Sequence, residues 1–327
     1  MKIGIRRALV VSIVSIVIAA IVFAGCAPTA KTKVVIYTGG TAGVYFPLGS
    51  KYAEMLNKYS DKIDASAVTS GASVTNVKAI GTGESQAGLI QNDVSYYGRK
   101  GIFMFDTPVP ELQGVATWYP ETIQFVVRAE SDIHTLADMV GKNVAIGAPG
   151  SGTAVCGEQI LEAAGVWDTI TRFDLAFAEA ASALKLGQVD VGFLVAGYPT
   201  PAIEEIAVTT PVRIVSIPDE ILDKLYAEGY PFYVRQVITK GTYKMTEDVA
   251  ACAVMAMLCV HKDLPDDVVY DMTKILFEHL DELRTAHVKA EDITLETALD
   301  GMSLILHSGA IKYYEEKGIK VPAELKG

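Results

Sequence analysis

Cysteine is scarce in this sequence. Four occur in 327 residues, at positions 26, 156, 252 and 259. There is no CxxC pair and no HExxH, and the five histidines (His134, His261, His279, His287, His307) are scattered, so the sequence offers no structural zinc site. Cys252 and Cys259 lie in a run, Val249 to Val260, whose composition predicts a helix. Seven residues apart on a helix their Cα atoms would be about 10.5 Å apart, too far for a disulfide. The thiols therefore read as small buried apolar groups. Nucleotide motifs are missing as well. The glycines after the first strand are not followed by Gly-Lys-Ser/Thr, and their spacing is not GxGxxG. Gly150-Ser151-Gly152-Thr153 fails the GxSxG pattern of a nucleophilic serine. The chain is accordingly expected not to be an enzyme and to need no cofactor and no metal.

Long apolar runs are absent except at the start. Met1 to Arg7 carries Lys2, Arg6 and Arg7 and no acid; Ala8 to Ala24 follows with only Ser12 and Ser15 polar, then Gly25-Cys26. A short basic region, an apolar core and small residues before a cut site predict a secretory signal over residues 1–25. Phe23-Ala24-Gly25-Cys26 resembles the lipobox of bacterial lipoproteins, which makes Cys26 the lipidated residue and 26–32 a lipid-anchored tether. The alternatives are a plain transmembrane anchor, or an ordinary signal with Cys26 incidental. Each places the folded part outside the cytoplasm.

Basic residues are the minority: 28 lysines and arginines against 39 acids. Without the three basic residues of the leader the formal net charge is about −14, which argues against nucleic acid or an anionic lipid surface as a partner. The 302 residues that remain exceed one comfortable core and suggest two lobes.

What is present is an α/β grammar, stated twice. Lys33 to Tyr37 predicts a strand, Thr38-Gly39-Gly40-Thr41-Ala42-Gly43 a turn, and a helix follows from Phe46 to Leu56. Ile63 to Val68 predicts a strand, Val74 to Gly81 a helix and Ala87 to Gln91 a strand. The pattern restarts with strands at Thr122 to Arg128 and Asn143 to Ile146. Gly147 to Thr153 then opens a helix over Ala154 to Ala164, and Asp190 to Val195 gives a buried strand. Such alternation predicts helix-flanked, mostly parallel sheets. From Glu247 on, helices are expected at Val249–Val260, Asp266–Leu283, Leu295–Leu306 and Ala310–Lys317.

Three junctions carry the chemistry: Thr38 to Tyr45, Thr69 to Asn76 and Gly147 to Thr153. Each puts Gly, Ser or Thr where a strand ends and a helix begins. Free N–H groups and the positive helix end converge there, which suits an anion without any charged side chain. Ser151-Gly152-Thr153 is the strongest of the three, with an ordinary N-cap as the competing reading. Thr41, Ala42 and Gly43 would offer backbone donors, and Tyr45 a ring wall with a hydroxyl. Ser73 and Asn76 would bond the ligand from the second junction. Asn92 and Asp93 would receive an ammonium or amide, or else form an Asx turn. Ser151, Gly152 and Thr153 would take a carboxylate. Gly197 and Tyr198 would form the last wall, with core packing the alternative for Tyr198. Arg128 would pair with an acidic ligand, or else, at a strand end near the hinge, be structural.

Thr38-Gly39-Gly40-Thr41-Ala42-Gly43-Val44-Tyr45 resembles the opening signature of the TAXI family, the solute receptors of one class of TRAP transporters. The likeness continues through Ser70–Asn76, Gln91–Val94, Gly147–Thr153, Ala196–Ile203 and His307–Tyr314. Ala42 and Ser308 depart from it, standing where the family often has Gly and Pro. The resemblance implies a two-lobed periplasmic-binding-protein fold, two helix-flanked mixed sheets joined by a hinge. Residues 33–120 with 236–327 would form lobe I and 121–235 lobe II, the crossing strands being Thr122–Arg128 and a return near Tyr233–Ile238. It further implies a small carboxylate-bearing solute in the cleft (glutamate-like, glutamine-like or dicarboxylate) and TRAP transporter membrane subunits as partners. The alternatives are the binding protein of an ATP-driven importer for a sulfonate- or nitrate-like anion, and a ligand sensor for a membrane kinase.

Overall fold

The computed structural model describes residues 30–327. The leader, Cys26 and most of the tether lie outside the described residues. Among those described, no helix is long and apolar enough to cross a membrane, and no three His, Cys, Asp or Glu side chains form a metal-binding group.

The first strands and helices fold as their pattern predicts, with a helix at Asn92–Lys100 and an earlier start to the strand expected at Thr122–Arg128 added. Strand β1 (Thr32–Tyr37) leads into helix α1 (Tyr45–Tyr59), β2 (Ile63–Val68) into α2 (Ser73–Gly81), and β3 (Ala87–Gln91) into α3 (Asn92–Lys100). β1 pairs in parallel with both β2 and β3. The chain then runs through β4, a 17-residue strand from Leu112 to Arg128. The second half repeats the alternation: β5 (Asn143–Ala145), α4 (Gly152–Ala163), β6 (Thr171–Phe173), α5 (Phe177–Lys185), β7 (Val191–Ala196), α6 (Pro201–Ala207), β8 (Val212–Val215), α7 (Asp219–Ala227) and β9 (Val234–Ile238). It returns through β10 (Val249–His261) and ends with α8 (Asp266–Glu278), α9 (Leu280–Arg284) and α10 (Ser308–Glu316). The strand order is β2-β1-β3-β10-β4-β7-β5-β6, with β8 also on β4 and β9 also on β10. The fold is thus α/β with a mixed sheet and flanking helices. β4 and β10 run through both halves, so the hydrogen-bonded ladder is continuous.

Four expectations are corrected. Val249 to Val260 is a strand, not a helix. Its alanines, methionines and leucine favour helix in isolation, but β10 is sandwiched between β3 and β4 and buried on both faces. A short run that is apolar all round has no periodicity to tell the two apart. Cys252 and Cys259 are both buried and unpaired; on a strand they are about 23 Å apart, so the exclusion of a disulfide stands on a different geometry. Leu295 to Leu306 is irregular: Gly301 turns it at φ +69°, and Leu306 forms an isolated bridge with Gly114. The helix expected over Asp266–Leu283 breaks at His279. Finally, the return crossing is made by β10 rather than near Tyr233–Ile238. Ile238, Tyr243, Ala251, Cys252 and Val254 pack in the cores of the second half.

Candidate functional site

Strand order fixes where a ligand fits. β1 lies between β2, which follows it, and β3, which comes after; β5 lies in the same way between β6 and β7. In open α/β sheets such reversals leave a crevice beyond the carboxyl ends of the strands. The loop after β1 (38–44) and the loop after β5 (146–151) both sit at these reversals, and they face each other across the lobes.

A cavity of about 310 Å³ lies between them, lined by Gly39 to Tyr45, Ser70 to Ser73, Ala148, Ser151 to Thr153 and Ala176 to Glu179, with Gln91, Glu121, Val195 and Ala196. Hydrogen bonds close its edges from lobe to lobe. Thr75 N–H at the start of α2 donates to Gly150 O at 3.2 Å, and Ala202 N–H of α6 donates to Ala42 O at 3.1 Å. Gly152 lets Gln91 approach the start of α4: a Cβ there would lie 1.9 Å from Gln91 Oε1 and would displace that side chain. A second groove of about 580 Å³ lies within the second lobe, along residues 207–216 and 243–250. It contains none of the three junctions.

Of the residues singled out in the sequence, Thr41, Ala42, Gly43, Tyr45, Ser73, Ser151, Gly152 and Thr153 line the cavity. Asn76, Asn92, Asp93, Gly197 and Tyr198 do not. Asn76 is fully buried and donates to Thr38 O and Leu89 O, both at 2.8 Å, clamping β1 to β3. Asn92 joins the turn at Gly301 to β10, through Gly301 O at 3.1 Å and Met255 N at 3.0 Å. Asp93 packs beneath α4, with Oδ2 3.7 Å from Cys156 Sγ. Gly197 lies against Lys289 and Tyr119. Tyr198 donates to Val237 O at 3.0 Å, with Lys289 Nζ 4.3 Å from its ring centre. Arg128 bonds Leu184 O and pairs with Glu130, a structural placement.

The hydroxyls inside the cavity differ in what remains to them. Ser151 Oγ donates to Ala148 O at 2.6 Å and accepts from Ala154 N–H at 3.1 Å, so it is an N-cap first. Ser73 Oγ accepts from Gln91 N–H at 3.1 Å and keeps its proton for another partner.

Sequence reasoning missed Gln91, Glu121 and the wall at Ala176–Glu179. The last is a fourth strand–helix junction, between β6 and α5, built from Ala and Phe rather than the Gly, Ser and Thr that mark the other three. Glu121 carried a signal: it is a lone acid in an apolar segment, hidden because the strand was expected to begin one residue later. It is 3 % exposed, and its Oε2 accepts from the Tyr45 hydroxyl at 3.1 Å. Burial pushes its carboxyl up to about 8, against the lowering effect of Tyr45 and Gln91. Glu179 is used locally, accepting from Ala176 N–H at 3.0 Å. Among the described residues, no lysine, arginine or histidine lines the cavity.

This architecture is shared with solved structures of low sequence identity. A structure from Bordetella bronchiseptica aligns with a TM-score of 0.56 at 14 % identity, covering 88 % of this chain and 98 % of that one. The periplasmic aliphatic sulphonate binding protein SsuA from Escherichia coli aligns with a TM-score of 0.51 at 16 % identity, covering 90 % and 88 %. A structure from work on glutathione import in Streptococcus mutans, through GshT and the cystine ABC importer TcyBC, aligns at 0.50 with 12 % identity, covering 81 % and 95 %. These likenesses identify the fold as that of periplasmic binding proteins. Residues 36–318 match the model of the NMT1-like family, and the chain belongs to that family.

Proposed function

We propose that this protein is an extracytoplasmic solute-binding receptor, which closes two lobes on a small anionic solute and presents it to a membrane transporter. The observation that carries this reading is the convergence of three helix starts, from both lobes, on one cleft. Backbone N–H groups at α1, α2 and α4 hold an oxyanion without a cationic side chain. Closure excludes water and strengthens each bond. The Ala8–Ala24 segment followed by Gly25-Cys26 supports export and lipid anchoring.

The solute is a carboxylate or a sulfonate, both of which present oxygens to such N–H groups. The sequence resemblance favours a carboxylate and a TRAP-type partner. The fold neighbours favour an ATP-driven importer: one is named for aliphatic sulfonates and another comes from work on an ABC importer. The ATP-driven importer is the better supported of the two.

Thermal shift with alkanesulfonates, mono- and dicarboxylates, amino acids and neutral sugars tests the reading. A true ligand at a hundred times its Kd stabilises by about 2.7 kcal/mol. If neutral sugars stabilise the protein and no anion does, the proposal fails. Solute uptake by membrane vesicles supplied with the protein separates the partners, since one depends on ATP and the other on an ion gradient.

A further inference from the structure

Glu121 is the one group in the cleft that anion capture does not use. It lies on β4, where that strand passes between the lobes, and its carboxyl is almost wholly buried against the cavity. Titratable groups face it from every side: Tyr45 on α1, Tyr119 on its own strand, Asp93 on α3 and Cys156 on α4. The Tyr119 hydroxyl is buried without a hydrogen-bond partner, as is Asp93 Oδ1. Gln91 reaches between Glu121 and Gly152 at the start of α4, so the acid stands beside the helix end best suited to an anion. Lys289, which packs against Gly197 beyond the cavity wall, is held by Asp292 at 2.8 Å and by the Tyr198 ring.

An ionised Glu121 and an anionic solute in a cavity of about 310 Å³ would repel at close range and low dielectric. Only a protonated Glu121 turns that repulsion into a hydrogen bond. We infer that Glu121 is the specificity-determining side chain of the cleft: as a neutral acid it donates its O–H to the solute's anionic group, so that capture of an anion takes up a proton. The inference rests on the anionic solute proposed above. The balance is simple: when Glu121 starts ionised, one proton from water joins its carboxylate, and no bond in the solute changes. Burial already holds the empty site's carboxyl up to about 8, with Asp93 adding to the rise.

Calorimetry on the full chain, with ethanesulfonate, succinate and glutamate as probes, tests this between pH 6 and 9. Repeating each titration in buffers of different ionisation enthalpy counts protons. Uptake should approach one proton per solute at pH 9 and fall toward zero at pH 6. Kd should rise about tenfold per pH unit above pH 8. Glu121→Gln, neutral at every pH, should bind with a flat pH profile and no uptake. The wild-type proton count stands alone if that variant folds poorly. Binding with no uptake at pH 9 would overturn the role of Glu121 and leave anion capture intact. Proton release would also overturn it, because it would mean that an ammonium pairs with an ionised Glu121. Uptake that persists in Glu121→Gln would move the role elsewhere, Asp93 being the nearest acid. No probe binding at any pH would remove the anionic reading and this inference together.

Discussion

The seam between the lobes has two faces, and they are built on opposite terms. On one face, strand–helix junctions built mostly of small residues leave a void, and its single buried acid has two hydrogen-bonding neighbours, Tyr45 and Gln91. On the other, side chains fill the space. Tyr233 donates to Gln159 at 2.6 Å, Gln159 donates to Tyr97 at 3.2 Å, and Cys156 lies over Asp93. Outside that network Tyr96, Tyr97 and Phe103 pack against Tyr230 and Phe232, with Tyr97 and Phe232 edge to face at 5.7 Å. Helix α4 joins the two faces: its first turn borders the void, and its third packs the filled side. Water is thus excluded on one side by the protein and left to be excluded by a guest on the other.

The contrast breaks most severely on the packed face. Tyr97→Ala removes a ring that is 1 % exposed and should destabilise the protein by about 3–5 kcal/mol in urea unfolding. Next comes pH. Asp93 is pushed up to about 7 and Glu121 to about 8, each mainly by burial. Between their ordinary values and these raised ones the folded state binds more protons than the unfolded state. The associated stability is therefore full only below about pH 4, falls as pH rises through about 4 to 8, and is lost above. Unfolding free energy should drop on the order of a few kcal/mol from pH 5 to pH 9, and Asp93→Asn should flatten the lower part of that slope.

The open face should respond in affinity rather than in stability. Ala196→Leu places a larger side chain in the cavity and should raise the solute Kd about tenfold to a hundredfold. Ser151→Ala should do the reverse, costing about 1 kcal/mol of stability as a lost N-cap, with a small effect on Kd. The smallest effect expected is a gain. Ala72, before α2, sits at φ +66°, where glycine is easier; Ala72→Gly should stabilise by about 0.5–1 kcal/mol.

The open face was largely legible in the sequence, because its chemistry is local. A strand end, a glycine turn and a helix start are contiguous, so Thr41–Gly43, Tyr45, Ser73 and Ser151–Thr153 were found from neighbours in the chain. The packed face was not legible, because it is assembled from residues far apart: Asp93, Cys156 and Tyr233 meet only after folding. For the same reason Asn76, Asn92 and Asp93, polar residues at attractive junctions, read as ligands when they clamp one strand or turn to another. β10 was misread because a strand covered on both faces shows no alternation. Its role as the return crossing went with it.

Amide NMR of the labelled protein, with and without the anion that raises its melting temperature most, tests the central claim most directly. The account predicts large shifts at Gly39–Gly43, Ser73, Gly152 and Thr153, on both sides of one cleft, and little change along 207–216 or 243–250. Shifts confined to that second groove, or to one lobe alone, would contradict it.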